Sequence, residues 1–190
     1  GDDHLRPTKQ PVQFLTSKEC QMWTTKHRYR CSEAYSVPDL NPVGYHVGKF
    51  SIPNDAGRRV ALCRLLYETF AAESPEYLLW VTQTSVWPSG EHMPLGAFLR
   101  EAFDERRSID SAPGHLFRIG EAGAALSFLV LSCFFLWDAT LLPSDDSAFF
   151  YLSHDEYGLT FCRDSGKVDE LRRRLELFKL DFEACALTSA

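Results

Sequence analysis

The clearest periodic pattern of apolar positions lies in the segment "KVDELRRRLELFKLDF". Spacings of three and four residues place its apolar side chains on one face of an α-helix. Ser165 precedes the segment and can cap the helix, and Glu170 and Arg174 are spaced to form an ion pair one turn apart. The residues predicted to face the core are Val168, Leu171, Leu175, Phe178 and Phe182.

Two earlier segments show the same helical spacing. The first, "NDAGRRVALCRLLYETFAA", begins with Asn54 and Asp55, either of which can cap a helix. The second is "PLGAFLREAF", and in both segments the apolar stripe is expected to pack against the core. The stripes consist of Val60, Cys63, Tyr67 and Phe70 in the first helix, and of Leu95, Phe98, Leu99 and Ala102 in the second.

The most apolar stretch is "AGAALSFLVLSCFFLW", which covers 16 residues (122–137) between Glu121 and Asp138. A bilayer requires roughly 20 apolar residues, so this stretch is too short to span one. A helix that is apolar on every side belongs at the centre of a core. We therefore predict a core helix from about Glu121 to Trp137, and no association with a membrane.

The remaining apolar runs predict strands. "YLLWVTQTSVW" (77–87) is rich in aromatic and β-branched residues, and its first residues are apolar at both odd and even positions. Both faces of such a strand are apolar, which favours a central strand that is covered on both faces. "HLFRI" and "DATLLPS" indicate shorter strands. "AFFYLS" and "GLTFCR" are joined by a short polar link, which is typical of a β-hairpin.

Residues 1–53 lack a clean period and are interrupted by prolines. They are interpreted as an N-terminal arm with one or two short strands, such as Gln21–Tyr29, within the same domain as residues 54–190. The order of elements predicts an α+β fold in which a mixed or mainly antiparallel sheet packs against three to four helices. A three-layer α/β sandwich is the alternative.

Charge is distributed unevenly along the chain. The formal net charge is −6, with +3 in residues 1–70 and −9 in residues 71–190. The acidic part repels a phosphate backbone, which disfavours nucleic-acid binding, and it attracts a basic protein partner. The composition, with 45% hydrophobic and 24% charged residues, is typical of a soluble globular protein.

The six cysteines contain no C-x-x-C pair, which argues against a zinc ribbon or a thioredoxin-type motif. Cys63, Cys133 and Cys162 lie in apolar runs and are predicted to be small buried side chains. Reduced thiols in a cytoplasmic protein are expected. The alternative is an exported protein that has lost a signal peptide, in which Cys20 and Cys31 could form a disulfide.

Motifs of known chemistry are missing from the sequence. There is no G-x-S-x-G, H-E-x-x-H, phosphate-binding G-x-x-x-x-G-K or dinucleotide-binding G-x-G-x-x-G segment. We predict no catalytic residue, no metal and no cofactor. The alternative is that three loops meet, so that their histidines and carboxylates hold zinc or iron or supply a general base. The candidates are His92, His115, His154, Glu91, Asp155 and Glu156.

The stretch "SHDE" is interpreted as a polar hairpin turn, because Asp and the nearby Gly158 suit turn backbone. Trp87 is a candidate anchor for a protein partner, because an exposed tryptophan beside acidic loops suits an interface. The acidic residues expected to contribute to the same binding surface are Glu91, Asp145, Asp146, Asp155 and Glu156.

The succession "LLWVTQTSVWPSGEHMPL", "SAPGHLF", "FFLWDATLLPS" and "FYLSHDEY" resembles a group of uncharacterised bacterial proteins with W-P-S, A-P-G-H-L-F and S-H-D-E segments. The resemblance covers residues 77–157, implies a bacterial single-domain protein and brings no activity with it. We expect a non-catalytic protein that binds another protein, such as a small acidic inhibitor or an immunity protein against a toxin. A metal-dependent enzyme or a small-ligand-binding protein that uses the loop histidines is the alternative.

Overall fold

A computed structural model describes residues 12–32, 37–87 and 90–184. Within these ranges eight strands form one open antiparallel sheet and five helices pack around it, which confirms the predicted α+β class. The strands are β1 (Gln13–Leu15), β2 (His46–Ser51), β3 (Glu76–Gln83), β4 (Gly114–Arg118), β5 (Asp138–Pro143), β6 (Ala148–Leu152), β7 (Tyr157–Cys162) and β8 (Phe182–Ala184).

The strand order in the sheet is β1-β4-β3-β5-β6-β7-β2-β8. The predicted central strand is β3, and the predicted hairpin is formed by β6 and β7. Strands β1 and β2 come from residues 1–53 and pair within the same sheet. The helices are α1 (Ser17–Lys26), α2 (Ala56–Phe70), α3 (His92–Glu101), α4 (Ala122–Phe134) and α5 (Ser165–Leu177).

The two faces of the sheet carry separate clusters of buried side chains. Along β3 the side chains alternate, with Leu79 and Val81 in the larger cluster and Leu78 and Trp80 in the smaller one. Helices α2, α4 and α5 supply the larger cluster, and α1 supplies part of the smaller one. Both faces of β3 are therefore covered, as its apolar sequence predicts.

Residues 17–26 form helix α1, so the predicted strand Gln21–Tyr29 is wrong. Thr16 caps the helix in a capping box, in which the Glu19 carboxylate accepts a hydrogen bond of 2.7 Å from the Thr16 backbone N–H. Cys20 and Trp23 then pack on the smaller cluster. The run of aromatic and β-branched residues is typical of a strand, but the capping signal at Thr16, five residues upstream, decides the local structure.

Two arginines at the start of α2 bind the ends of neighbouring helices. Asp55 caps α2, as predicted, by accepting a hydrogen bond from the Arg58 backbone. The Arg58 guanidinium reaches the carbonyls of Phe178 and Lys179 just beyond α5. Arg59 donates to the Phe134 carbonyl at the end of α4, at 3.1 Å. These cations satisfy carbonyl groups that lack partners within their own helices.

Helix α4 is covered on one side only, so the prediction of a fully buried core helix is wrong. Phe128 and Leu129 are buried, whereas Phe134 is 36% exposed. The helix ends at Phe134, and Leu136 adopts a left-handed backbone (φ 50°) before Trp137 leads into β5. In the part of the chain that the structure describes, no helix is long and apolar enough to cross a membrane.

The last helix follows its sequence pattern closely. Val168, Leu171 and Leu175 are buried, as the spacing predicts. The helix ends at Leu177, so the prediction is wrong for Phe178, which is 47% exposed, and Phe182 contacts the core from β8 rather than from the helix. Its cap is Asp164 rather than Ser165. The predicted pair between Glu170 and Arg174 is wrong, because Arg174 turns away from its own helix. Its guanidinium lies 2.7 Å from Glu68 on α2 and therefore ties two helices together.

Candidate functional site

An exposed tryptophan connects two loops at one end of the sheet. Trp87 is 57% exposed and follows β3 in the connection to α3. Its indole Nε1 donates a hydrogen bond of 2.8 Å to the carbonyl oxygen of His154, in the turn between β6 and β7. The bond fixes one edge of the ring while most of its surface stays in contact with solvent.

The turn that receives this bond is held together by Asp138 at the start of β5. One carboxylate oxygen, Oδ1, accepts hydrogen bonds of 2.8 Å from both the backbone N–H and the ring Nδ1 of His154. Within the turn, the Asp155 N–H donates to the Ser153 hydroxyl at 3.2 Å, and Glu156 adopts a left-handed backbone (φ 63°). These are the contacts of a polar turn that bends the chain.

A buried phenol lies next to this carboxylate. Burial raises the pKa of Tyr151, and the neighbouring Asp138 carboxylate raises it further, against the effect of a hydrogen bond with Ser153. Tyr151 therefore remains protonated at neutral pH. The cluster of Asp138, Tyr151, Ser153 and His154 connects β5 to the β6–β7 turn through side chains.

Helix α3 follows the Trp87 loop, and the face that it buries is not the apolar face predicted from the sequence. Leu95 is 45% exposed and Phe98 is 66% exposed. The prediction that this apolar stripe packs against the core is therefore wrong for both residues. The buried residues of α3 are instead His92, Gly96 and Arg100.

Packing against Trp137 explains part of this orientation. Gly96 has no side chain, so α3 approaches the Trp137 ring closely, and a Cβ atom on Gly96 would lie 3.2 Å from that ring. His92 packs edge-to-face on the same ring, with 6.3 Å between the ring centroids. Gly96 and His92 therefore hold this side of α3 against Trp137.

Arg100 is the most unusual of the buried residues, because its side chain is charged and only 2% exposed. Its Nη1 contacts Nε2 of His115 at 2.9 Å, and its Nη2 donates to the carbonyls of Arg107 and Ser108. The guanidinium also stacks over the Phe14 ring at 4.7 Å. Burial lowers the pKa of Arg100, partly offset by the Glu105 carboxylate.

His115 completes this buried network on β4. Complete burial, together with the Arg100 charge, lowers the pKa of His115 to about 3. The imidazole is therefore neutral, with Nε2 accepting from Arg100 and Nδ1 facing the Leu79 carbonyl at 3.3 Å. His115 acts as a hydrogen-bond acceptor inside the core.

The three histidines singled out in the sequence have different surroundings. His115 binds Arg100 in the core, His92 packs against Phe135 and Trp137, and His154 binds Asp138 in the turn. Across residues 12–32, 37–87 and 90–184, no group of three or more His, Cys, Asp and Glu side chains is arranged to hold a metal.

Four of the five acidic residues proposed for one binding surface fall into two groups, and the fifth, Glu91, is exposed at the start of α3. Asp155 and Glu156 are exposed beside Trp87, at one end of β6. Asp145 and Asp146 lie at the other end of this five-residue strand, which is about 14 Å long at 3.4 Å per residue. Asp146 is neutralised there by Arg163 at 2.6 Å. Only the first group adjoins the exposed tryptophan.

Comparison of the chain with protein-family models, with curated proteins and with solved structures gives no match. Sequence reasoning selected Trp87 but missed the buried Arg100. The one available signal was the spacing of His92, Gly96 and Arg100, which puts all three on one face of a helix.

Proposed function

We propose that this protein works by binding another protein through a surface formed by Trp87 and the outward face of α3. We call it the α3 surface, and its apolar members are Val86, Trp87, Leu95 and Phe98. The observation that carries the proposal is the outward orientation of Leu95 and Phe98 on a helix that buries an arginine. Large apolar side chains grouped in one exposed segment are typical of interaction sites.

Trp87 has the properties of an interface anchor. A tryptophan buries a large area on binding, and energetic hot spots are enriched in this residue. The hydrogen bond from its Nε1 to His154 restricts the ring before any partner arrives. Less side-chain entropy is then lost when the complex forms, which favours tight binding.

The charge near the α3 surface favours a basic partner. Glu91, Glu101, Asp155 and Glu156 are exposed on or next to it. Residues 71–190 carry a formal charge of −9, and the whole chain carries −6. An acidic surface accelerates encounter with a cationic protein and disfavours nucleic acid.

Within this proposal, the class that the surface suits best is a small inhibitor or immunity protein that blocks a basic toxin. Such a protein needs a stable scaffold, a preformed apolar anchor and complementary charge, and it needs no catalytic group. The sheet supplies the scaffold, and Trp87 and Phe98 supply exposed aromatic side chains.

The test is co-purification from extracts of the cells that make this protein. The tagged wild-type chain is expected to retain one basic protein in stoichiometric amount. The double variant Trp87→Ala/Phe98→Ala is expected to retain less than one tenth as much, because two aromatic anchors are lost. Quantitative mass spectrometry of the eluates measures both amounts.

Two exposed apolar residues elsewhere provide matched controls. Met22 on α1 is 65% exposed and Leu177 on α5 is 83% exposed. The variant Met22→Ala/Leu177→Ala should retain the partner at the wild-type level. Failure of the wild-type chain to retain any protein, or equal retention by the α3 variant, would refute the proposal.

A further inference from the structure

A cavity of about 630 Å³ lies between the segment that follows α1 and the ends of β5, β6 and β7. Its base belongs to the smaller cluster of buried side chains, on the sheet face opposite to α2, α4 and α5. Tyr29 and Tyr45 both pack edge-to-face on Phe149 there, with 5.5 Å between the ring centroids in each pair. The volume falls within the range of small-molecule sites.

Hydrogen bonds from the two phenols hold this base in place. The Tyr29 hydroxyl lies 2.8 Å from the carbonyl oxygen of Pro143 and 2.9 Å from that of Asp145. The Tyr45 hydroxyl donates to the Asp146 carbonyl at 2.6 Å. Both segments that precede β2 are therefore fastened to the β5–β6 turn, and the cavity exists before any ligand arrives. A preformed site loses less conformational entropy on binding.

Three arginines line the cavity, although the chain as a whole carries a net charge of −6. Arg28 and Arg30 precede and follow Tyr29, and Arg163 follows β7. All three are exposed, so a ligand in the cavity has access to them. Neither Arg28 nor Arg30 forms an ion pair with a carboxylate of the described residues.

Two carboxylates on the cavity wall are already engaged. Oδ2 of Asp146 lies 2.6 Å from Nη2 of Arg163, whose guanidinium also stacks on the Tyr45 ring at 4.4 Å. Oδ1 of Asp39 accepts a hydrogen bond of 2.9 Å from the Asn41 backbone N–H. Three guanidinium groups against two carboxylates leave an excess of positive charge, which favours an anionic ligand.

We infer that this cavity binds a small phosphate monoester, with the guanidinium groups of Arg28 and Arg30 donating to its phosphate and its organic part against Pro42 and Val43. A phosphate group carries nearly two negative charges and three acceptor oxygens, which suit two unpaired guanidinium forks better than one carboxylate does. Val43 is 46% exposed and therefore offers apolar surface to the ligand. The cavity lies at the opposite end of β6 from Trp87, and the inference does not depend on the protein-binding role proposed above.

Calorimetric titration with phenyl phosphate at pH 7 and low salt tests this inference. The wild-type protein is expected to bind one molecule saturably, whereas phenol, which has the same ring without the phosphate, gives no saturable binding. Arg28→Gln/Arg30→Gln is expected to bind phenyl phosphate at least about tenfold more weakly, because charge-assisted hydrogen bonds are lost.

A matched double variant separates this site from the general charge of the protein. Arg64 on α2 and Arg173 on α5 are exposed on the other side of the sheet. Arg64→Gln/Arg173→Gln removes the same number of positive charges and should bind phenyl phosphate as tightly as the wild-type protein does. Equal weakening by both double variants would overturn the inference.

The backbone amide signals of the wild-type protein locate the ligand without any substitution. In an assigned ¹H–¹⁵N spectrum, phenyl phosphate is expected to shift the amides of residues 28–30 and 42–45 and of Arg163, and to leave those of α3 in place. Inorganic phosphate should reverse these shifts in competition. Absence of saturable binding, equal binding of phenol, or shifts confined to other parts of the chain would each contradict the phosphate site.

Discussion

Helices α3 and α5 have similar apolar spacings in the sequence and opposite relationships to the core. In α5 the apolar stripe is buried at Val168, Leu171 and Leu175. In α3 the stripe is turned to solvent, and Phe98 is 66% exposed. Apolar spacing therefore defines a helix and its faces, while the face that packs depends on the contacts that the neighbouring elements offer.

For α3 the neighbouring elements offer polar partners. His115, the carbonyls of Arg107 and Ser108, and the Phe14 ring surround the Arg100 guanidinium. These contacts offset much of the cost of burying a charge. The arginine of α5 that contacts a second helix, Arg174, remains at the surface with Glu68. The buried arginine therefore fixes the orientation of α3 and leaves its apolar face free.

The largest expected difference between the two helices is in side-chain packing. Leu171→Ala should lower the free energy of unfolding by about 3 kcal/mol, because it leaves a cavity in the core. Phe98→Ala removes a larger side chain and should change it by less than about 0.5 kcal/mol, because Phe98 is mostly exposed. Urea unfolding at pH 7 measures both values. Equal losses would mean that the apolar face of α3 is packed.

The second difference concerns the arginines. Arg100→Ala should lower the free energy of unfolding by about 2 kcal/mol or more, because His115 Nε2 and two carbonyls lose their buried donor. Arg174→Ala breaks an exposed ion pair and should cost less than about 1 kcal/mol. The same unfolding experiment compares them. A smaller loss for Arg100→Ala than for Arg174→Ala would contradict the role given to Arg100.

A third prediction uses pH to separate the buried network from the rest of the protein. The pKa of His115 is about 3 in the folded state, and an unfolded histidine has a pKa of about 6.5. Between pH 3 and pH 6.5 the unfolded chain binds more protons at this residue than the folded chain does. The contribution of the neutral His115 to the free energy of unfolding is therefore present in full above pH 6.5 and is lost as the pH falls. The contribution is about 1.4 kcal/mol per pH unit.

The control for this prediction is His115→Gln, which keeps a hydrogen-bond acceptor and cannot be protonated. As the pH falls from 6 to 4.5, the free energy of unfolding of the wild-type protein should decrease more than that of His115→Gln. A difference that does not vary over this range would show that His115 is protonated in the folded protein or exposed to solvent.

The smallest predicted effect concerns the turn that holds Trp87. Asp138→Ala removes the acceptor for two His154 donors and should lower the free energy of unfolding by about 1 kcal/mol. It should also shift the Trp87 indole N–H signal, because the His154 carbonyl moves with the turn. Asp155→Ala, in the same turn, serves as the control and should leave that signal in place. An unchanged signal in Asp138→Ala would show that the turn does not position the Trp87 indole.

Local patterns in the sequence were sufficient for the parts of the fold that form from nearby residues. The β6–β7 hairpin, β3, α2 and α5 follow from turn residues, apolar runs and helical spacing. Strand β2 was missed because its short sequence, "HVGKFS", becomes a strand only by pairing with β7 and β8 from much later in the chain. The same holds for β1, which pairs with β4.

The candidate site was predictable only in part, for a related reason. Trp87 and the S-H-D-E turn are visible in the sequence, yet the hydrogen bond that joins them spans 67 residues. The orientation of α3 depends on Trp137, His115 and Phe14, which come from three other elements or their flanks. Spacing within one helix carries no information about such partners.

The most direct test of the central claim, that α3 turns its apolar face outward to meet a protein, is photo-crosslinking from that face. A benzophenone amino acid is placed at position 98 on α3 or, for comparison, at the 83% exposed position 177 on α5. After irradiation in an extract of the producing cells, position 98 should give one discrete adduct with a basic protein and position 177 should give none. No adduct from position 98, or the same adduct from both positions, would contradict the account.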